Sequence, residues 1–206
     1  MNVGIGRRLR FVFKSEGEAS LEVLPGDVTT RPSPRIDFVA YAEECILSGR
    51  FPMGADRLTD ALNERDEYEL VDVLVERLSD GMALEVSSLD VSRRELLLVQ
   101  ASGPRGNLER RRRKRLHPMV IQIGPYRVRG YLHALPGADP VGSIQRRKPM
   151  VPLTDARVDY MSAAGAQRLQ LGTVLVNHER MDWIVPAIDN DVELPELPEL
   201  RGVPTF

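Results

Sequence analysis

The 206-residue chain contains a single cysteine, Cys45. It can therefore form neither an intrachain disulfide nor a zinc site built from several cysteines. No apolar run approaches the roughly 20 residues that cross a bilayer, which argues against a transmembrane protein. The N-terminal residues lack the apolar stretch and small-residue cleavage site of a secretory signal. We therefore expect a cytoplasmic protein with no membrane partner.

The sequence is also poor in catalytic patterns. Its three histidines, His117, His133 and His178, form no metal-binding pair. There is no Walker A loop, no serine-hydrolase elbow and no dinucleotide-binding glycine pattern. Cys45 lies beside glutamates, which disfavour a reactive thiolate. We accordingly expect no enzymatic activity, no cofactor and no bound metal. The one enzymatic alternative is a small metal-dependent enzyme that uses a set of aspartates, Asp56, Asp60, Asp66 and Asp72.

The net charge of −2 conceals a strong segregation of charge along the chain. Residues 1–104 carry 12 Lys/Arg and 19 Asp/Glu, whereas residues 105–150 carry 12 and 2, and residues 151–206 carry 4 and 9. The basic segment contains six consecutive cations, Arg110, Arg111, Arg112, Arg113, Lys114 and Arg115. Such a block repels itself and stays solvated, so it is typical of an exposed linker.

Short segments of the first half recur in the same order in the second half, at offsets of 81 to 85 residues. The pairs are Gly49 with Gly130, Gly54–Asp56 with Gly137–Asp139, Leu70–Val75 with Leu153–Val158, and Val91–Val99 with Val176–Ile184. Their order and shared hydrophobic pattern favour a duplicated domain over a single irregular β-rich domain. We expect an N-terminal extension (1–34), a first repeat (35–104), a basic linker (105–116), a second repeat (117–187) and an acidic proline-rich tail (188–206).

Alternating apolar and polar residues predict strands in both repeats. Residues 121–131 form one such stretch, broken or bulged at Gly124–Pro125, and 151–160 form another. Residues 174–185 read as a closing hairpin, whereas the stretch from Phe38 to Ala42 would suit a strand or a helix. The predicted class is mainly β, with two tandem small β-barrel or β-sandwich-like domains, each containing at most one short helix.

A short helix is expected in the first repeat after Asp56, whose carboxylate suits an N-cap. Leu58, Ala61 and Leu62 then share one helical face, and Asn63 would end the helix. In the second repeat Asp139 and the following proline suit a helix start, but the residues beyond them are typical of a loop.

These segments together resemble a small bacterial domain family of unknown function. The pieces that carry the resemblance are Asp56–Asn63, Tyr68–Asp72, Leu153–Asp155 and Val176–Ile184, and the two copies would cover residues 35–187. The first copy departs from the pattern at Val91–Ser92 and the second at Pro140–Gln145. The order of strands is also similar to that of an Sm-like small barrel. Both resemblances imply a fold and carry no activity to transfer.

The leading hypothesis is a non-enzymatic binding or assembly protein, a scaffold or regulator that acts through the surfaces of two repeated β domains. Its partner would be another protein or a second copy of the chain. The acidic tail offers leucines that could dock on such a partner, Leu194, Leu197 and Leu200. At the other end, the stretch from Leu9 to Lys14 could add an edge strand.

The alternative is a nucleic-acid-binding regulator that uses residues 105–150. The candidate cations are Arg110, Arg111, Arg112, Arg113, Lys114, Arg115, Arg127, Arg129, Arg146, Arg147 and Lys148. Arg127 and Arg129 alternate along a strand, so both would face one side. Single-strand binders combine cations with aromatic side chains, and only Tyr126 and Tyr131 are available in this segment. The competing interpretation is a solvated linker without a partner.

Overall fold

A computed structural model describes residues 34–103 and 114–187. The predictions made for the N-terminal extension, for Arg110–Arg113, and for the tail with Leu194, Leu197 and Leu200 lie outside these residues.

Ten strands and two short helices make up the described chain. The strands are β1 (Arg35–Tyr41), β2 (Cys45–Pro52), β3 (Glu67–Arg77), β4 (Ala83–Ser92), β5 (Leu98–Gln100), β6 (Arg115–Ile123), β7 (Tyr126–Ala134), β8 (Met150–Ser162), β9 (Gly165–Asn177) and β10 (Trp183–Pro186). The helices are α1 (Leu58–Glu64) and α2 (Pro140–Gln145), with 3-10 turns at Arg93–Glu95 and His178–Arg180. The order strand, strand, helix, strand, strand, 3-10 turn, strand thus occurs in residues 35–100, the first unit, and again in residues 115–186, the second unit.

All ten strands belong to one antiparallel sheet, in the order β10-β6-β7-β8-β9-β5-β1-β2-β3-β4. The expectation of a mainly β protein is confirmed. The two units meet where the short strand β5 of the first pairs with β9 of the second. We call this pairing the seam. No helix in the described residues is long and apolar enough to cross a membrane.

Two hydrophobic cores lie along this sheet, one for each unit. Phe38, Leu47 and Leu70 belong to the first core, and a second set around Ile121 forms the other. At the seam, side chains of each unit pack into the core of the other unit. Leu175 of the second unit packs into the first core, which makes the two units depend on each other for burial.

That exchange runs in both directions, and aromatic rings mediate the reverse one. Tyr41 of β1 packs into the second core. Its ring meets those of Tyr126 and Tyr160 edge-on, with centroids 5.6 and 6.1 Å apart. The buried Tyr126 hydroxyl also donates a hydrogen bond of 2.7 Å to the carbonyl oxygen of Ala42. Apolar burial and a satisfied hydroxyl therefore both join the two units.

Each unit contains a sharp bend at corresponding positions. Asp72 and Asp155 have φ angles of 52° and 48°, and they are the only non-glycine residues of the described chain with positive φ. Beside them the strand register shifts at Gly49 and Gly130. A Cβ at these glycines would lie 3.0 and 3.1 Å from a carbonyl oxygen of the neighbouring strand. Glycine is thus required where the strands approach most closely.

The helix predictions were only partly right. Asp56 does not cap α1, because Arg57 occupies the N-cap position and makes no side-chain cap hydrogen bond. The second unit forms a helix where a loop was expected, since the Asp139 carboxylate accepts hydrogen bonds from two backbone N–H groups of α2. Asn63 lies inside α1 rather than ending it. Its amide instead exchanges two 3.0 Å hydrogen bonds with the backbone of Met150.

One strand prediction is confirmed and another is wrong. The stretch from 121 to 131 was expected to be broken or bulged at Gly124–Pro125, and a turn at these two residues does break it into β6 and β7. Residues 174–185 do not form a hairpin, since β10 pairs with β6 and not with β9. A 3-10 turn redirects the chain between them. The ambiguous stretch beginning at Phe38 is part of strand β1.

Asn177 is the one buried polar residue at the seam. Its side chain is 1 % exposed, and its Nδ2 donates hydrogen bonds of 3.1 and 3.0 Å to the carbonyl oxygens of Arg93 and Leu96. Its backbone N–H donates to Leu97 at 2.9 Å. One residue of the second unit therefore satisfies the carbonyl groups of the turn that leads into β5.

Replacing Asn177 by Ala should destabilise the protein. The change removes the donor to the Leu96 carbonyl oxygen and one of the two donors to the Arg93 carbonyl oxygen, which also accepts from the Leu96 N–H. The loss costs about 1–3 kcal/mol of unfolding free energy. Urea denaturation followed by circular dichroism measures this loss. Gln170→Ala, on an exposed position of the same strand, is the control and should change stability by less than about 0.5 kcal/mol. Equal stability of the Asn177→Ala and Gln170→Ala proteins would show that the hydrogen bonds do not hold the seam.

Candidate functional site

Strand β7 presents two arginines on the outer surface of the second unit. Its residues alternate between buried and half-buried along their whole length, as expected for a strand with one face on the core. Val128 points into the second core, so Arg127 and Arg129 lie together on the opposite side, as their spacing predicts. The core therefore fixes the direction of both guanidinium groups.

The neighbouring strands add two more arginines to this surface. Arg129 lies directly opposite Arg157 of β8, and Arg127 lies opposite Asp159. Asp159 in turn lies opposite Arg168 of β9. We call the surface formed by Arg127, Arg129, Arg157 and Arg168 the arginine face.

Within residues 34–103 and 114–187, Asp159 is the one carboxylate that pairs with these four cations. Asp159 accepts hydrogen bonds from the Nε atoms of Arg157 at 3.1 Å and Arg168 at 2.7 Å. The Nε atoms of Arg127 and Arg129 are buried and have no hydrogen-bond partner among the described residues. Like charges directly opposite each other in a sheet are destabilising. The arginine face therefore has an excess of positive charge that a bound anion would relieve.

Two aromatic side chains accompany the arginine face. Tyr131 follows Arg129 by two residues and is half-buried on the same side of β7. Trp183 of β10 lies opposite Gln122, which lies opposite Arg127. The Trp183 side chain is 41 % exposed. An exposed indole at this position can stack on a planar group.

Tyr126 is not available for stacking, contrary to the sequence interpretation. It is fully buried in the second core. Burial, and to a lesser extent the neighbouring Cys45 and tyrosine side chains, raises the pKa of its hydroxyl. Tyr126 therefore has a structural role at the seam.

The remaining basic residues do not join the arginine face. Arg147 donates hydrogen bonds to the His133 carbonyl oxygen at 2.5 Å and to the Ser143 hydroxyl at 3.2 Å, so it anchors α2 to the far end of β7. Burial lowers the pKa of Arg147. Burial and then the charges of Arg147 and Arg57 lower the pKa of Lys114, which indicates a second cationic group at that end of the unit.

Three other predicted cations lie outside the arginine face. Arg146 is exposed and its Nε donates to the Gly142 carbonyl oxygen within α2 at 3.1 Å. Lys148 is exposed in the segment that follows α2, and Arg115 is exposed at the start of β6. None of these three has a position that connects it to the row of arginines.

The histidines and aspartates do not converge into a catalytic group. His133 Nε2 lies 2.9 Å from the Thr154 hydroxyl, and His178 Nε2 lies 3.0 Å from the Arg147 carbonyl oxygen. Asp66 forms an ion pair with Arg93. Within residues 34–103 and 114–187, no group of three or more His, Cys, Asp or Glu is placed to hold a metal ion.

Sequence reasoning missed three residues of this surface, Arg157, Arg168 and Trp183. Arg157 precedes Val158, and the alternation around that buried residue could have placed it outward. Arg168 is brought to the face by the register between β8 and β9, which no local pattern reveals. Trp183 was assigned to a hairpin with β9, and the pairing of β10 with β6 moves it to this surface.

Comparison of the chain with protein-family models, with curated proteins and with solved structures gives no match. The resemblances stated from the sequence therefore stay predictions.

Cys45 is completely buried at the start of β2. Burial, followed by the charges of Glu44 and Glu95, raises the pKa of its thiol to about 12. The thiolate is the reactive form of cysteine. A thiol in this environment stays protonated at neutral pH.

The folded protein should accordingly resist thiol reagents. Relative to the ordinary thiol pKa of 9.0, the shift lowers the thiolate fraction near pH 8 about 1,000-fold, and burial slows attack further. Reaction with Ellman's reagent should therefore be very slow until guanidinium chloride unfolds the chain, when one thiol should react. Rapid reaction of the folded protein would contradict the buried placement of Cys45.

Proposed function

We propose that this chain is a non-enzymatic binding protein and that the arginine face of its second unit binds the phosphate backbone of a single-stranded nucleic acid. The observation that supports the proposal most directly is a set of four neighbouring arginines in which Asp159 pairs with Arg157 and Arg168, while the Nε atoms of Arg127 and Arg129 have no hydrogen-bond partner among the described residues. Arginine pairs with phosphate through charge-assisted hydrogen bonds, often two at a time.

A single-stranded nucleic acid matches this surface better than a small anion does. The four arginines are distributed over three adjacent strands, β7, β8 and β9, and neighbouring strands lie about 4.8 Å apart. The positive surface is thus an extended patch and not a closed pocket. Successive backbone phosphates can contact such a patch, and each contact displaces condensed counterions.

The aromatic side chains favour a nucleic acid over an acidic protein. Base–aromatic stacking contributes about 1–3 kcal/mol per base in single-strand binders. Trp183 and Tyr131 share the outer surface with the arginine face. Cations and stacking rings together are the combination that such binders use.

The charge of the two units gives the proposed ligand one preferred location. Residues 114–187 contain 10 Lys/Arg and 5 Asp/Glu, whereas residues 34–103 contain 7 and 15. A polyanion would be attracted to the second unit and repelled by the first. The first unit would then serve to support the second through the seam.

We also propose that the two units are duplicates of one ancestral domain. The repeated element order supports this, as do the matched bends at Asp72 and Asp155. The close-approach glycines Gly49 and Gly130 add a second matched feature. On this interpretation the first unit has lost the basic surface and kept the fold, and a scaffold function through both units is the second candidate.

Removing two arginines should weaken binding of a single-stranded oligonucleotide. The Arg127→Ser, Arg129→Ser double variant eliminates two phosphate contacts, so the slope of log affinity against log salt should become shallower by about 1.4. Fluorescence anisotropy of a labelled oligonucleotide across a salt series measures both affinity and slope. The direct result expected is a large loss of affinity at low salt.

Two further variants give the controls for that titration. Arg94→Ser changes an exposed arginine of the first unit and should leave binding unchanged. Replacing Arg110–Arg113 by serine measures the contribution of the basic linker separately. Affinity that depends on the linker and is indifferent to Arg127 and Arg129 would reject the arginine face as the binding surface.

Trp183 is the only tryptophan of the chain, so its fluorescence reports on this surface alone. Stacking of a base on its ring should quench the emission as oligonucleotide is added. Trp183→Leu should weaken binding by about 1–3 kcal/mol while keeping β10 in place. Saturable binding with unchanged tryptophan emission would show that the ligand contacts the arginines without stacking.

A further inference from the structure

The two edge strands of the sheet lack a partner on one side within the described residues. β4 pairs only with β3, and β10 pairs only with β6. An unpaired edge presents free N–H and C=O groups that can accept another strand.

The seam inside the chain shows how such edges pair. There the last strand of the first unit, β5, joins the fourth strand of the second unit, β9. β10 is the last strand of the second unit and so corresponds to β5, whereas β4 is the fourth strand of the first unit and so corresponds to β9. Each free edge therefore corresponds to one side of the seam.

We propose that a second copy of this chain pairs its β10 edge with the β4 edge of the first copy, in the register of the seam. At the offset of 85 residues that relates the units, the seam pair Val99–Leu175 becomes Ile184 of one copy opposite Asp90 of the next. The hydrogen bond from the Ala101 N–H to Thr173 corresponds to a contact between Pro186 and Ser88.

The backbone N–H and C=O groups needed for this pairing are directed away from the neighbouring strands β6 and β3. The Ala187 N–H donates to Pro118 of β6, so by alternation the backbone of Ile184 faces the open edge. The Arg93 N–H donates to Asp66, just before β3, so by the same alternation the backbone N–H and C=O of Asp90 are directed away from β3. Pro186 has no N–H, and the Ser92 N–H, which corresponds to that of Asn177 at the seam, already donates to Glu95 Oε2 at 3.3 Å. The new interface therefore has fewer hydrogen bonds than the seam and is the weaker of the two.

Charge and apolar surface identify the second copy as the occupant. The acidic first unit of one copy would meet the basic second unit of the next, which favours this orientation over pairing of like edges. Large exposed apolar side chains also occur at both edges. Trp183 and Val185 are 41 % and 46 % exposed on β10, while Leu84 on β4 and Met82 just before it are 40 % and 63 % exposed.

Pairing of two different edges is a heterologous contact, which leaves one free edge at each end of a dimer. Such contacts continue until a ring closes, or they extend into a filament. The inference does not depend on the arginine face or on its ligand, so each can fail alone.

A mixture of two single-cysteine chains tests the pairing. Ser88→Cys and Pro186→Cys place one thiol on each edge, and side chains opposite each other in adjacent strands are close enough for a disulfide. Mild oxidation of the mixed full-length chains should give a disulfide between the two different variants. Neither variant alone should cross-link, because its second thiol, Cys45, is buried. Ser87→Cys mixed with Pro186→Cys is the register control, since a shift of one residue turns the side chain to the other face.

Sedimentation velocity of the unmodified chain gives the second readout. The sedimentation coefficient should rise with protein concentration, and Ile184→Pro should lower the self-association because it removes the edge N–H while keeping the contacts with β6. The expected results are the mixed disulfide and the concentration-dependent mass. Disulfides within one variant, equal cross-linking of the register control, or a monomer at every concentration would overturn the proposal.

Discussion

The pairing of β5 with β9 is the interaction on which the rest of the structure depends. Only three residue pairs form this ladder, so backbone hydrogen bonds alone would hold it weakly. Leu175 crosses into the first core and Tyr41 into the second, while Asn177 satisfies the turn before β5. Apolar burial supplies the stability, and the amide determines the register, because a shift would leave its donors buried without acceptors.

The same pairing positions the arginine face. β9 forms the seam with its last residues and contributes Arg168 from its first half, and β8 beside it contributes Arg157. The second core lies beneath these strands, and the side chains buried in it determine which residues of each strand point outward. The positive charges are therefore mounted on a rigid sheet whose core determines which side they face. Repulsion between Arg129 and Arg157 is tolerated because the apolar residues next to them in the two strands, Val128 and Val158, are fully buried on the other face.

Patterns that depend on a single strand were readable from the sequence, and those that depend on pairing were not. Alternation placed Arg127 and Arg129 on one side because burial of every second residue is a local constraint. The recurrence of Gly49 and Asp72 in the second half was also readable, but only the structure shows that these positions carry the register shift and the positive φ of a bend. Arg168 reaches the face through the register of β8 and β9, and Trp183 through the pairing of β10 with β6. Both depend on contacts distant in sequence.

The two proposals meet at β10. This strand carries Trp183 beside the arginine face, and its open edge is the one proposed to accept β4 of another copy. In such an assembly each arginine face would be flanked by acidic first units, because residues 34–103 hold about twice as many acidic as basic side chains. Acidic flanks repel phosphates over a distance of about 10 Å at moderate salt. A long nucleic acid would therefore contact the assembly at separated patches, and affinity would come from several short contacts connected by one strand.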